Sequence, residues 1–136
     1  MISDIDTIGK VFSLKNIAVV GMSPKQHRPS NYVSMYMKNQ GYNIIPVNPC
    51  HEIIHNKKCY PCLLDIPVQV DIVNVFRRSE FAASIAKEAA NIGAKALWLQ
   101  DGVISEEASE IAQTDGLLFV MNDCMLRRHK QLHQKN

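Results

Sequence analysis

Short apolar runs alternate with amphipathic stretches along this chain, and that alternation predicts its elements. In the opening stretch, Ile2 to Leu14, the apolar residues Ile5, Ile8, Val11, Phe12 and Leu14 fall near helical spacing. Ile17–Val20 is an unbroken, mostly β-branched run, the signature of a strand buried on both faces. Ser30 reads as the N-cap of a helix whose stripe is Tyr32, Val33, Tyr36 and Met37, with Gly41 as its C′ residue. A second strand covers Asn43–Val47 and gives way to Pro49. Cys50–Val68 has little periodicity and reads as a loop. A third strand spans Asp71–Phe76, and a helix follows from about Glu80 to Ile92, stopped by Gly93. Ala96–Leu99 is a fourth strand. Ser105, with Glu106 and Glu107 behind it, opens a helix to about Thr114, ended by Gly116. Leu117–Met121 is the fifth strand, and Cys124–His133 a closing helix rich in Lys, Arg and His.

Strands alternating with helices imply an α/β fold: a doubly wound, mainly parallel five-stranded sheet with helices on both faces, Rossmann-like in kind. No repeat, linker or low-complexity tract interrupts it, so residues 1–136 read as a single domain. Right-handed crossovers bring the carboxyl end of every strand to one edge, where ligands of such sheets lie.

Composition adds few constraints. Apolar residues make up 46% of the chain, enough for a packed core, and the net charge of +2 gives no argument for nucleic acid. No run approaches the roughly 18 apolar residues of a membrane span. The amino terminus is acidic and does not read as a signal peptide, so the expected location is the cytoplasm, with the cysteines reduced.

The chemistry concentrates on the strand ends. Gly21, Ser23, Lys25 and Arg28 follow the first strand. Val47, Asn48 and Pro49 lie at the end of the second, and Phe76, Arg77 and Arg78 at the end of the third. Gln100, Asp101 and Gly102 follow the fourth, and Asn122 and Asp123 the fifth. A strand, a glycine turn and a helix start assemble backbone N–H groups and a positive helix end, which is a phosphate site. The NAD fingerprint G-x-G-x-x-G with an acid after the second strand is not met, because Gly21 stands alone and Asn48 is neutral. Lys25, Arg28, Arg77 and Arg78 are available for an additional phosphate. On these residues a nucleotide with extra phosphates is favoured over NAD.

The chain resembles the small stand-alone CoA-binding proteins, which share the fold of the CoA-binding domain of the succinyl-CoA synthetase alpha subunit. The resemblance is carried by Ala18-Val19-Val20-Gly21-Met22-Ser23, Gly41-Tyr42-Asn43-Ile44-Ile45-Pro46-Val47-Asn48-Pro49, Val75-Phe76-Arg77, Gly93 to Gln100, Gly102-Val103 and Val120-Met121-Asn122. It implies that coenzyme A or an acyl-CoA binds across the strand ends. By position, Gly21 and Ser23 would line the phosphate loop and Arg28 would face the diphosphate or 3′-phosphate. Val47, Asn48 and Pro49 would hold the adenosine side, Phe76 and Arg77 would border the ligand, and Gln100 and Gly102 would approach the pantetheine arm. The chain departs from the family pattern at Asn56-Lys57-Lys58, where a glycine is usual, and at Cys62, where a serine is usual. At Asn122-Asp123-Cys124 the family has an arginine in the middle, and an acid downstream is replaced here by Arg127-Arg128. The synthetase's catalytic histidine and grasp domains have no counterpart, so the resemblance does not imply ligase chemistry.

Other constellations weigh less. Cys50, His51, His55, Cys59 and Cys62 could be read as a zinc site or a redox dithiol, but they supply only one C-x-x-C. Cys124 lies near the ligand edge, and His129, five residues on, would not face it on a helix. Trp98 reads as core. Arg127, Arg128, His129, Lys130, His133 and Lys135 read as a solvated helix face without the aromatic platform that nucleic acid would need. The expectation is therefore a non-catalytic module for a nucleotide-bearing small molecule, without nucleic-acid or membrane contact. An NAD(P)-binding or redox-sensing enzyme is the alternative, and no residue points to a protein partner.

Overall fold

The computed structural model describes residues 4–133. Their order is α1 (Ile5–Phe12), β1 (Asn16–Val20), α2 (Pro29–Asn39), β2 (Asn43–Val47), β3 (Ile53–Ile54), β4 (Lys57–Lys58), β5 (Ile72–Val75), α3 (Ala82–Asn91), β6 (Ala96–Leu99), α4 (Glu106–Thr114), β7 (Leu118–Val120) and α5 (Met125–His133). Five strands form one sheet in the order β2-β1-β5-β6-β7, every neighbouring pair parallel. The order reverses between β1 and β5, so the loops after these two strands open side by side at the switch point.

Period-two alternation sends each strand's side chains to two cores. Ala18, Val20, Val47, Val73, Val75, Leu97 and Leu99 face α3 and α4, where Ile85, Ala86, Ala89, Ala108 and Ala112 meet them. Ile17, Val19, Ile44, Ile72 and Trp98 face the other way, against Ile8, Phe12, Val33, Met37 and Met125. Burial on both faces explains why the strands read as continuous apolar runs. Trp98 is fully buried, as expected, and its Nε1 donates to the Asp123 carbonyl at 2.9 Å.

Helix ends depart from expectation in informative ways. Asp4 caps α1 by accepting from the Thr7 N–H at 2.7 Å, while Ile2 lies outside the described residues. Ser105 caps α4, accepting from the Ala108 N–H. Ser30, however, is not the cap of α2. Pro29 occupies the first turn and Arg28 the cap position, because proline's fixed φ suits a helix start. A short 3₁₀ turn, Ser79–Phe81, precedes α3 in place of the regular helix expected from Glu80.

The stretch Cys50–Val68, expected as a loop, contains a hairpin. Ile53 pairs with Lys58 and Ile54 with Lys57 around His55 and Asn56, both at positive φ. Two adjacent left-handed residues make a type I′ turn, for which glycine or asparagine is usual. Tyr60 then runs beside the β2 edge, its N–H donating to the Pro46 carbonyl at 3.0 Å. That segment covers an edge strand that would otherwise offer unpaired backbone.

The basic closing segment is a solvated face at Arg127, Lys130 and His133, as expected, but not at His129. His129 is 3% exposed, surrounded by Phe12, Tyr36 and Tyr42 and stacked on His133. Its Nδ1 shares a 2.8 Å hydrogen bond with the Tyr36 hydroxyl. Arg127 is ion-paired, Lys130 lies over the Tyr36 ring, and Lys135 falls outside the described residues. The helix docks against α1 and α2 because Met125, Leu126 and Leu132 join the core on that face of the sheet.

Burial, followed by the nearby His133 charge, holds the His129 pKa below its usual 6.5. A base whose pKa is lowered by folding contributes full stability above the unfolded value and loses it as the unfolded state takes up the proton first. Stability should therefore fall as pH drops below about 6.5, and His129→Phe should flatten that slope. Thermal melts between pH 7.5 and 5.5 check this. Equal slopes in the two proteins would place the dependence on other groups.

Candidate functional site

Backbone hydrogen bonds carry the sheet register just beyond its strands. The Gly21 N–H donates to the Val47 carbonyl at 2.9 Å, Phe76 to Val20 at 2.9 Å, and Gln100 to Val75 at 3.2 Å. The loops following four strands are thereby aligned along one edge. At the switch point Gly21 adopts φ +88°, and a Cβ built on it would sit 2.6 Å from the Phe76 carbonyl oxygen. Only glycine fits both the conformation and the contact.

Around this crossing lie two cavities. The first, about 600 Å³, is bordered by Gly21, Ser23, Lys25, Arg28, Phe76, Arg77, Gln100 and Gly102. The second, about 480 Å³, is bordered by Val47, Asn48 and Pro49 and again by Gly21, Phe76 and Arg77. Of the edge residues singled out from the sequence, those after the first four strands border one cavity or both, Asn122 and Asp123 border neither, and Gly21, Phe76 and Arg77 form the ridge between. Both volumes fall in the range of small-molecule sites, roughly 300–1,000 Å³.

The first cavity is electropositive. The amino end of α2 opens into it through Pro29 and Ser30, and no acid stands in that helix's first turn. Lys25, Arg28 and Arg78 surround the same opening. Among the described residues, ion pairs engage only Arg127 and Arg128, so no carboxylate competes for these cations. Arg77 is held in place by stacking, its guanidinium 4.4 Å from the Phe81 ring centre.

Several polar residues of the edge are spent on shaping it. Ser30 Oγ accepts from the Ser23 N–H at 2.9 Å, and Ser23 Oγ accepts from the Lys25 N–H at 3.1 Å. Asn31, unmarked in the sequence, donates to the Ser23 carbonyl and meets His55 Nε2 at 2.6 Å, so the hairpin turn braces the glycine loop. Asn48 donates to the Met22 carbonyl and accepts from the Cys50 N–H. Gln100 is 4% exposed. Its Nε2 donates to the buried Asn74 Oδ1 at 2.6 Å, and its Oε1 accepts from the Met125 N–H. Gln100 therefore borders the cavity as a fixed wall. Asn74, a polar residue in an apolar strand, was the signal for this pairing, since a buried amide needs a partner.

The carboxyl-terminal departures fit together. Asp123 pairs with Arg127 at 3.0 Å and Arg128 at 3.2 Å, and Arg127 grips Asp101 through two bonds of 3.0 and 2.9 Å. Where the family pattern has a cation followed by an acid, this chain has an acid followed by cations. Hydrogen bonds from Arg127 hold the Asp101 carboxyl below its usual pKa. The pair is about half exposed, so its stabilisation is at most about 1 kcal/mol.

The cysteine-rich loop disperses its side chains. Cys50 is exposed, Cys59 is buried with its thiol donating to the Asn48 carbonyl, and Cys62 lies 3.5 Å from Asp65 Oδ2. Burial raises the Cys59 pKa, the opposite of an activated dithiol. No group of three His, Cys, Asp or Glu among the described residues has metal-binding geometry. Cys124 borders the first cavity, while His129 is committed to Tyr36.

Fold and site together define a nucleotide-type α/β domain with an anion-favouring edge. A family model described as a CoA binding domain matches residues 15–130, and the chain belongs to that family. The uncharacterized protein YneT of Bacillus subtilis (strain 168) is 40% identical over 115 residues, covering 85% of either chain. Acetate–CoA ligase [ADP-forming] II of Archaeoglobus fulgidus is 31% identical over 105 residues, which are 76% of this chain but 16% of the ligase. A hypothetical protein from Pyrococcus horikoshii OT3 has a solved structure that superposes with a TM-score of 0.92 at 38% identity, covering 98% of this chain and 94% of that one. No helix among the described residues is long and apolar enough to cross a membrane.

Gly21→Ala should destabilise the fold by about 1–3 kcal/mol, since it adds a strained φ and a backbone clash. Gly41→Ala, at φ +100° but with nothing within 4 Å, should cost only about 1 kcal/mol. Urea unfolding of the two variants measures the difference, and equal losses would refute the close contact.

Proposed function

We infer that this protein binds coenzyme A or an acyl-CoA along the carboxyl edge of its sheet, as a binding module and not as an enzyme. The observation that carries the reading is the pair of cavities meeting at Gly21, Phe76 and Arg77. An elongated ligand with a nucleotide at one end and a long arm at the other can lie across that ridge. Its phosphates would meet the α2 amino end with Lys25, Arg28 and Arg77, and its adenosine would occupy the second cavity beside Val47, Asn48 and Pro49. The arm would run past Gln100 and Gly102. Membership of the CoA-binding domain family supports the same ligand. Neutral Asn48, bonded to Met22 and Cys50, offers no carboxylate to a dinucleotide's ribose, whereas the surplus of cations suits a third phosphate.

Binding without catalysis is supported by the state of the acid nearest the arm. Asp101 is gripped by Arg127 and held ionised, which makes it a weak general base. The matched residues are 16% of the ligase relative, whose named activity belongs to that longer protein.

Calorimetry with CoA, acetyl-CoA, NAD and NADP tests the reading. CoA and acetyl-CoA should bind saturably, and Arg77→Ala should weaken CoA by about 1–3 kcal/mol, the loss of a charge-assisted contact. Acetyl-CoA kept with the protein should release no free thiol. Saturable NAD binding without CoA binding would overturn the ligand, and thiol release above the buffer rate would overturn the non-catalytic role.

A further inference from the structure

We propose that the second cavity is a slot for a 6-aminopurine, in which Glu88 and Ser84 of α3 read the base. The proposal rests on coenzyme A as the ligand and goes further by naming the groups that select its adenine. The two cavities differ in kind. Lys25, Arg28 and Arg78 line the first alone, and its one acid, Asp101, is paired with Arg127, whereas the second has a single cation, the shared Arg77, and apolar walls from Val47, Leu63 and Ile85, with Phe81 at its border. Ser84 and Glu88 lie on that same lining. A carboxylate there repels phosphate, so the charged part of the ligand belongs to the first cavity and its neutral, flat part to the second.

Glu88 is partly buried, and no hydrogen bond or ion pair among the described residues engages its carboxylate. Ser84 and Glu88 stand four residues apart on α3, which puts them on one helix face with Cβ atoms about 5–6 Å apart. An ionised carboxylate only accepts hydrogen bonds, while a hydroxyl can donate. Adenine offers the matching edge, an exocyclic amino donor beside a ring nitrogen acceptor. Hypoxanthine reverses it, with a carbonyl beside a ring N–H, so it sets an acceptor against the carboxylate. A site built from paired polar groups rejects the analogue that leaves them unmatched.

The test is calorimetry of the full chain with CoA and with the analogue that carries hypoxanthine in place of adenine. The wild-type protein should bind CoA at least about tenfold more tightly, the effect of one charge-assisted hydrogen bond lost. Glu88→Gln, whose amide can turn to donate to a carbonyl, should bring the ratio to within about threefold, the residue of a neutral contact. Equal binding of the two ligands by the wild type overturns the base-reading role and leaves CoA binding standing. Undiminished discrimination by Glu88→Gln also overturns it. Absence of CoA binding by the wild type overturns both this proposal and the reading beneath it.

Discussion

The close approach of Gly21 to the Phe76 carbonyl is the constraint on which the rest depends. Parallel strands β1 and β5 are neighbours at the point where strand order reverses. Their following loops must part to opposite sides within a residue or two. Gly21 turns at φ +88° with no side chain between it and the next loop. That lets the two backbones touch, and the touching backbones make the ridge that separates the cavities. A Cβ there would meet the Phe76 carbonyl oxygen at 2.6 Å and the Arg77 side chain at 3.1 Å, so the loops could not stay this close. The cavities are thus consequences of topology, and their chemistry is added by whichever residues follow the strands.

Much of this was legible in the chain because it rests on short-range pattern. Ile17–Val20 and Ala96–Leu99 announce strands buried on two faces, and Ser105 announces a cap. The edge residues follow from strand ends alone, since a parallel sheet puts them together whatever the loops do. What escaped was set by contacts distant in sequence. His129 belongs to a helix that looks polar, and only Phe12, Tyr36 and Tyr42 reveal its buried position. The hairpin at Ile53–Lys58 is too short for periodicity, and its turn uses His55 and Asn56 where glycine would have signalled it. Ser30 has the composition of a cap but is needed by Ser23. Gln100 borders the cavity, but its bond to the buried Asn74, far off in sequence, could not be read from the strand end.

Asp123 and Arg127, four residues apart across the start of α5, attract each other. Arg127 also reaches Asp101, which joins the α5 start to the loop after β6. Asp101, which borders the first cavity, thereby has its charge balanced by Arg127. Had Arg127 been an acid, Asp101 would have faced like charge, and the positive field at the α2 amino end would have been offset from across the cavity.

A division of labour among polar side chains follows. Serines and amides of the edge, including Ser23, Ser30, Asn31, Asn48 and Gln100, are bonded to the protein itself and make the loops stiff. Among the described residues, Lys25, Arg28, Arg77 and Arg78 carry no ion pair. Loops already ordered need not lose their freedom when a ligand arrives, which favours binding. Unpaired cations need not break a bond first. The entropy of the site is therefore lost largely on folding, where the sheet and its two cores supply the opposing stabilisation, and the charge remains available to an anion.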